Sequence, residues 1–313
     1  MFLKGQQVGK YHIEDTLGVG GFGAVYLAVD TWLDKKVALK VPHRQTDDLF
    51  QLLKEPRLHS ALNHPNIVRL ITAEKTDDVF FMVMEYVKGE SLEAILDREK
   101  TIDLKRATDY LRQACAGLMH AHQNHVLHRD LRPSNLLVSE LGTVKITDFG
   151  TSTFLETKGF AQTRIGSPPY MAPEQFLGKA VLASDIYSLG CIFYEMMAGS
   201  PPLFHPNPAM MEKLALQGKI SPLKLKNSSV PRAISDICSK ALATDVKARY
   251  PNAGELLREM EAALGITRKE SQMEDIRSRL RARDEASRKS LCWNCRKPLP
   301  PRAIKCNHCG EKQ

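Results

Sequence analysis

The sequence predicts an α+β protein: a β-rich first part carrying one helix, a larger helical part, and a small cysteine-rich module at the C-terminal end. Three observations predict it. Between Tyr11 and about Val87 the chain runs in short β-branched and aromatic stretches broken by Gly, Asp and Asn. From Ser91 onward, apolar residues recur at helical steps. Four of the seven cysteines crowd into residues 292–309, as Cys292-x2-Cys295 and Cys306-x2-Cys309.

In chain order, the glycine-rich stretch Gly18 to Gly23 separates two extended segments, the second being Ala24 to Val29. Val37-Ala38-Leu39-Lys40-Val41 and Phe80 to Met84 read as further strands. One helical stretch, Asp47 to Leu62, interrupts them. It holds Pro56, which in a helix interior would cost roughly 3 kcal/mol, so the helix either starts late or kinks there. Beyond Ser91, Leu104, Ala107, Leu111, Cys115 and Leu118 form one apolar face of a helix. Ile186 to Ala198 is apolar but carries Ser188 and Glu195, and reads as a buried helix. The last helix ends at Gly265, a natural C-cap.

The expected organisation is therefore a main domain over 11–265, a charged and partly helical linker over 266–290, and a module over 291–313. The linker has Ile266, Met273, Ile276 and Leu280 as its large apolar groups, with Asp275–Arg279 and Asp284–Arg288 at helical pair spacing. The formal charge of +8 is uneven. From Ile266 onward 13 basic residues face 6 acidic ones, whereas the preceding chain is almost neutral with 31 against 30. An electrostatic partner, protein or nucleic acid, is expected at the tail. No apolar run approaches the ~18 residues of a membrane span, and the N-terminus has no apolar signal core, so a cytoplasmic location is expected. Cys115, Cys191 and Cys238 stand singly among apolar residues and are expected to be buried as small hydrophobes.

The chemistry-bearing motifs begin with Gly18-Val19-Gly20-Gly21-Phe22-Gly23-Ala24-Val25. Glycines let backbone N–H groups approach phosphate oxygens with no Cβ in the way. A dinucleotide-binding turn would open a helix here, whereas this one leads into a strand. Lys40 follows, then His128-Arg129-Asp130-Leu131-Arg132-Pro133-Ser134-Asn135, Asp148-Phe149-Gly150 and Met171-Ala172-Pro173-Glu174. With all of these in order and register, the stretch from Tyr11 to Gly265 resembles a eukaryotic-type serine/threonine protein kinase.

That resemblance implies a two-lobed protein kinase fold with ATP and Mg²⁺ as cofactors, Mn²⁺ being the alternative hard cation. The glycine loop would cover the phosphates, with Leu17, Val25 and Ala38 walling the adenine. Met84 would flank that pocket, and backbone groups from Glu85 to Val87 would bond the base. Lys40 would pair with the phosphates and with Glu55. Asp130 would orient and deprotonate the substrate hydroxyl, while Asn135 and Asp148 hold the metal. Asp185 would anchor the catalytic-loop backbone, and Glu174 would pair with Arg249. Arg129 would read a phosphate on the following loop, at Thr163 or Thr157.

Two residues depart from the family's pattern. Arg132 stands two after the aspartate where lysine is usual, keeping the charge with a different geometry. Ser167 replaces a commoner threonine and still supplies a hydroxyl.

The cysteine module resembles a zinc ribbon. Each Cys-x2-Cys turn aims two thiolates at one point, so Cys292, Cys295, Cys306 and Cys309 would close a structural Zn²⁺ site with no open position. Trp293, Arg296, Lys297, Arg302 and Lys305 offer a surface for a partner, with protein recruitment preferred to nucleic acid. Two other readings stay open beside an active kinase: a pseudokinase scaffold, and a nucleic-acid-associated regulator acting through the basic tail.

Overall fold

Alternating apolar residues give Tyr11 to Val41 two-faced strands that pair with their neighbours in sequence. In the computed structural model these are β2 (Tyr11–Gly20), β3 (Gly23–Asp30) and β4 (Lys35–Pro42), preceded by the short β1 (Gln7–Val8). The residues described are 2–21, 23–43, 45, 48–76, 79–149, 153–154, 166–266, 273, 276–277, 280, 292–297, 299 and 303–312. By internal contacts the chain divides into two units, Met1–Ala263 and Leu264–Gln313.

In the first unit, β5 (Leu70–Thr76) and β6 (Val79–Glu85) complete a six-stranded antiparallel sheet in the order β1-β2-β3-β4-β6-β5. One face is closed by Tyr11, Ile13, Tyr26, Leu39 and Phe81, joined by Phe2 from upstream of the motif-bearing segment. Phe2 packs edge-on to Phe81 at 6.0 Å, and its backbone N–H donates to Tyr26 Oη at 3.2 Å.

The single helix expected between β4 and β5 is two short ones, α1 (Leu49–Leu52) and α2 (Lys54–Ser60), interrupted at Leu53. The interruption answers the proline. Pro56 lies in the first turn of α2, where backbone N–H groups have no intrahelical acceptor, so its missing donor costs nothing there.

Beyond β7 (Gly89–Ser91) the unit is mainly helical: α3 (Leu92–Glu99) and α4 (Leu104–Gln123) come first. Short strands β8 (Val126–Leu127), β9 (Leu136–Ser139), β10 (Val144–Ile146) and β11 (Thr153–Phe154) follow. Then come α5 (Pro173–Phe176), α6 (Leu182–Ala198), α7 (Pro208–Gln217), α8 (Leu223–Lys226), α9 (Arg232–Ala241) and α10 (Ala253–Ala263). Ala107, Leu111, Cys115 and Leu118 of α4 are buried on one face, as their spacing requires. The helix α6 is buried at almost every position and closes on Gly199 in the left-handed region, φ 79°. Cys115, Cys191 and Cys238 are buried, and burial pushes the Cys115 and Cys238 thiols up to about 12. Among the described residues, no helix is long and apolar enough to cross a membrane.

Of the linker, only Ile266, Met273, Ile276, Arg277 and Leu280 are described; Asp275, Arg279, Asp284 and Arg288 lie outside the described residues. The cysteine-bearing part of the second unit shows two turns, Cys292 to Cys295 and Cys306 to Cys309, with an antiparallel bridge between Lys305 and Lys312. Cys292, Leu299 and Cys306 form its small buried cluster.

Candidate functional site

The glycine loop joins β2 to β3, with Gly18 opposite Val25, Val19 opposite Ala24, and Gly20 opposite Gly23. A Cβ on Gly18, Gly20 or Gly21 would meet nothing within 4 Å, so these three leave an open backbone cradle. Gly23 answers a different need. Its φ is +152°, and a Cβ there would stand 2.2 Å from the Val41 carbonyl oxygen of β4. Phe22 lies outside the described residues.

Behind the loop, Ala38, Val68 and Met84 form a buried apolar group with Val25, Leu70, Val87 and Leu137 against it. The predicted Val25, Ala38, Met84 and Val87 thus come together, while Leu17 stands outside this group and is half exposed. Sequence reading missed Val68, Leu70 and Leu137. Leu137 was within reach, because it lies two residues beyond Asn135 on the strand that begins there.

The ionic centre joins distant parts of the chain. Lys40 Nζ donates to Glu55 Oε1 at 2.7 Å and to Asp148 Oδ1 at 2.5 Å. Burial pushes the Lys40 pKa down, but the two carboxylates outweigh it and hold the group above the ordinary lysine value. Glu55 sits in the first turn of α2, and Asp148 holds a left-handed backbone, φ 62°. Phe149, next to Asp148, is buried against the His128 ring at 4.8 Å and the His59 ring at 5.1 Å. His59, one turn after Glu55, donates from Nε2 to the Val68 carbonyl at 2.6 Å.

The loop from His128 to Asn135 is fixed from beneath. The fully buried Asp185 of α6 accepts the His128 and Arg129 backbone N–H groups at 3.0 and 2.9 Å, and His122 Nε2 at 2.8 Å. Burial works to raise the Asp185 pKa, yet the His122 bond and neighbouring donors bring it below the ordinary carboxylate value. Asp130 is itself buried, and its Oδ1 has no hydrogen-bond partner among the described residues. Burial raises its pKa, against a hydrogen bond from Ser167 and the nearby His128 and Arg132.

Asn135 Nδ2 donates to the Asp130 carbonyl at 2.8 Å, and among the described residues its Oδ1 meets Ser134 Oγ at a long 3.5 Å. Arg132 reaches Ser167 Oγ at 3.1 Å and Glu93 Oε1 at 2.9 Å. The donor set suits a hard divalent cation: Asp148 and Asn135 supply oxygens, and Asp130 Oδ1 has no hydrogen-bond partner among the described residues.

Glu174 and Arg249 meet in a bidentate pair, both arms 2.7 Å long, with Ser184 Oγ also donating to Glu174. A second pair was not foreseen. Lys145 Nζ donates to Glu85 Oε1 at 2.8 Å, and the same oxygen accepts the Arg69 backbone N–H at 2.8 Å. Thr157, Thr163 and Gly150 lie outside the described residues.

In the second unit, the Sγ atoms of Cys292, Cys295, Cys306 and Cys309 all lie within 4.8 Å of one another. Zinc–sulfur bonds of about 2.3 Å in a tetrahedron put sulfurs about 3.8 Å apart, so four thiolates so placed fit one Zn²⁺. Backbone N–H groups of Cys295 and His308 already point at Cys292 Sγ and Cys306 Sγ, at 3.4 and 3.3 Å. Such bonds stabilise thiolate charge. Trp293 is exposed and ties its indole N–H to the Lys312 carbonyl at 2.6 Å. Arg302 lies outside the described residues.

The family model described as "Protein kinase domain" matches residues 11–260. The chain is similar to the serine/threonine-protein kinase PrkC of Bacillus subtilis, 34% identical over 267 residues, covering 83% of this chain and 41% of that protein. It is similar to the serine/threonine-protein kinase PknB of Mycobacterium tuberculosis, 33% identical over 260 residues, covering 79% and 42%. A probable serine/threonine-protein kinase PknB of Bifidobacterium longum is 30% identical over 302 residues, covering 90% and 44%. The chain thus spans about two fifths of the length of these curated relatives.

Proposed function

Because this chain belongs to the protein kinase domain family, we propose that it transfers the γ-phosphate of ATP to serine and threonine hydroxyls of protein substrates. The observation that carries the reading is Lys40 bonded at once to Glu55 and Asp148, with the buried Oδ1 of Asp130 left unpartnered. In this reading the apolar group around Ala38 and Met84 takes the adenine, and backbone groups from Glu85 to Val87 bond its edge. The loop from Gly18 to Gly23 lies over the phosphates, and Lys40 neutralises part of their charge. Asn135 and Asp148 would hold Mg²⁺, which when bound would neutralise phosphate charge.

Asp130 orients the acceptor hydroxyl and takes its proton, and its raised pKa favours that role. The hydroxyl oxygen forms a bond to the γ-phosphorus as the bond to the bridging oxygen of ADP breaks. Arg132 and Ser167 place a positive charge and a donor beside the reacting group. The zinc-ribbon tail holds one structural Zn²⁺ on four cysteines and recruits a protein partner; nucleic acid is the second occupant to test.

The experiment is phosphate transfer from labelled ATP to a mixed serine and threonine peptide pool with Mg²⁺. Wild-type protein transfers, while Asp130→Asn and Lys40→Met lose about a hundredfold or more. Equal rates for the wild type and Asp130→Asn would support the pseudokinase scaffold instead.

A further inference from the structure

Arg132 serves two acceptors at once. Its Nη1 donates to Ser167 Oγ at 3.1 Å and its Nη2 to Glu93 Oε1 at 2.9 Å. Its Nε is buried and has no partner among the described residues. Ser167 in turn acts on Asp130, opposing the burial that raises the pKa of its carboxylate. A hydrogen-bonded file of side chains therefore runs from Glu93 through Arg132 to Ser167, starting on α3, and Arg132 stands two residues after the proposed base Asp130.

Glu93 is held firmly enough to act as the fixed end. It lies in the first turn of α3, whose N-terminus is capped by Ser91 Oγ accepting the Ala94 N–H at 3.1 Å. Leu92, Ile95 and Leu96 bury the inner face of the same helix. The opposite end needs such an anchor. A guanidinium is a planar fork that can bridge two diverging acceptors, whereas an ammonium is a single point of charge. With Ser167 alone, the long arginine stem would be held by one neutral hydroxyl, and the charge-assisted bond to Glu93 is the stronger of the two. The pair is also open to water, at 34% and 46% side-chain exposure, so it adds little to folding stability. Position and stability can therefore be measured apart.

We propose that Glu93 is a positioning residue for phosphoryl transfer. From α3 it holds the Arg132 guanidinium against Ser167, which lets an arginine work at the position where the family resemblance expects lysine. The inference rests on the phosphotransferase reading above. It carries a specific consequence: Glu93 matters only while residue 132 is arginine.

The test measures kcat, KM for ATP and Tm for four proteins on one serine peptide: wild type, Glu93→Gln, Arg132→Lys and the double variant. In the wild-type background Glu93→Gln lowers kcat about tenfold, with KM for ATP within about twofold and Tm unmoved. In the Arg132→Lys background the same change alters kcat by less than about twofold. Equal losses in both backgrounds overturn the proposal, as does a Glu93→Gln protein as fast as wild type. A loss of kcat that tracks a loss of Tm also overturns it, since Glu93 then only supports the fold. Four inactive proteins, wild type included, mark failure of the phosphotransferase reading itself.

Discussion

His59 shows how one buried side chain can make the strand-rich half sensitive to acid. An unfolded chain protonates this histidine near 6.5. In the folded protein, burial drives the value down to about 4, helped by the charge on Lys40 and opposed by the bond to the Val68 carbonyl. Between those two values the unfolded state holds the extra proton, so stability falls as pH drops through that window. By pH 5 the loss from this one group is about 2 kcal/mol relative to pH 7. His59→Phe keeps a ring against Phe149 and removes the titration. Its Tm should fall less between pH 7 and pH 5 than the wild-type Tm does. Parallel losses for the two proteins would remove His59 as the cause. The same scale covers Asp130, whose Oδ1 has no partner among the described residues and whose pKa is raised by burial, both of which suit the proposed proton acceptor.

At the scale of elements, the strand β10 does more than lead to Asp148. Lys145 on β10 and Glu85 at the end of β6 form a half-buried ion pair, and the Arg69 backbone N–H is the third member. The Glu85 backbone N–H also donates to the Arg69 carbonyl at 3.0 Å, so both main chain and side chain of Glu85 are pinned. That is the residue whose backbone opens the proposed adenine-bonding strip. Lys145→Met leaves Glu85 without its counter-charge and frees the strip. KM for ATP should rise about fivefold with kcat little changed, and Lys145→Arg should recover most of it. An unchanged KM would mean the strip is set by main-chain bonds alone. The divided helix carrying Glu55 belongs to this scale too. The break at Leu53 puts Pro56 where a missing donor is harmless, and Glu55 stays one turn ahead of the His59 anchor.

Across the whole molecule, the two units make different demands on the chain. The larger one has helices and strands enough to bury its own core, including the Arg249–Glu174 pair in which the arginine side chain is fully covered. Among the described residues, the smaller one has Cys292, Leu299 and Cys306 at its centre, with Cys295 and Ala303 against it. A cluster of that size would leave most of the folding energy to a bound metal. Purified protein should hold one Zn²⁺ per chain, read by elemental analysis, and Cys292→Ser with Cys295→Ser should hold none. If the tail recruits a partner and leaves catalysis alone, that variant and a protein ending at Gly265 should phosphorylate a short peptide at the wild-type rate. A change of about tenfold, on the order of 1.4 kcal/mol in the barrier, would replace recruitment with direct regulation.

The order of strands and helices, the glycine loop and the buried α6 were all legible in the sequence, because each depends on local periodicity or on residues close in the chain. Lys40, Asp130, Asn135 and Asp148 were picked out by the family resemblance, and the fold brings Lys40 against Asp148 and Asn135 against the Asp130 carbonyl. The four cysteines were legible too, since two Cys-x2-Cys turns carry their geometry within them. What only the tertiary structure decided depends on contacts between segments far apart. The Lys145–Glu85 pair joins residues 60 positions apart, and Arg132 with Glu93 spans 39. Leu137 and Val68 reach the apolar wall from separate segments, and Phe2 packs into a core it precedes by many residues. Nothing in local sequence marks such partners, because a surface charge and a paired one have the same neighbours in the chain. Pro56 shows the limit most clearly. Local rules said that a proline must disturb this helix, and the fold chose where the helix begins, because Glu55 had to meet Lys40.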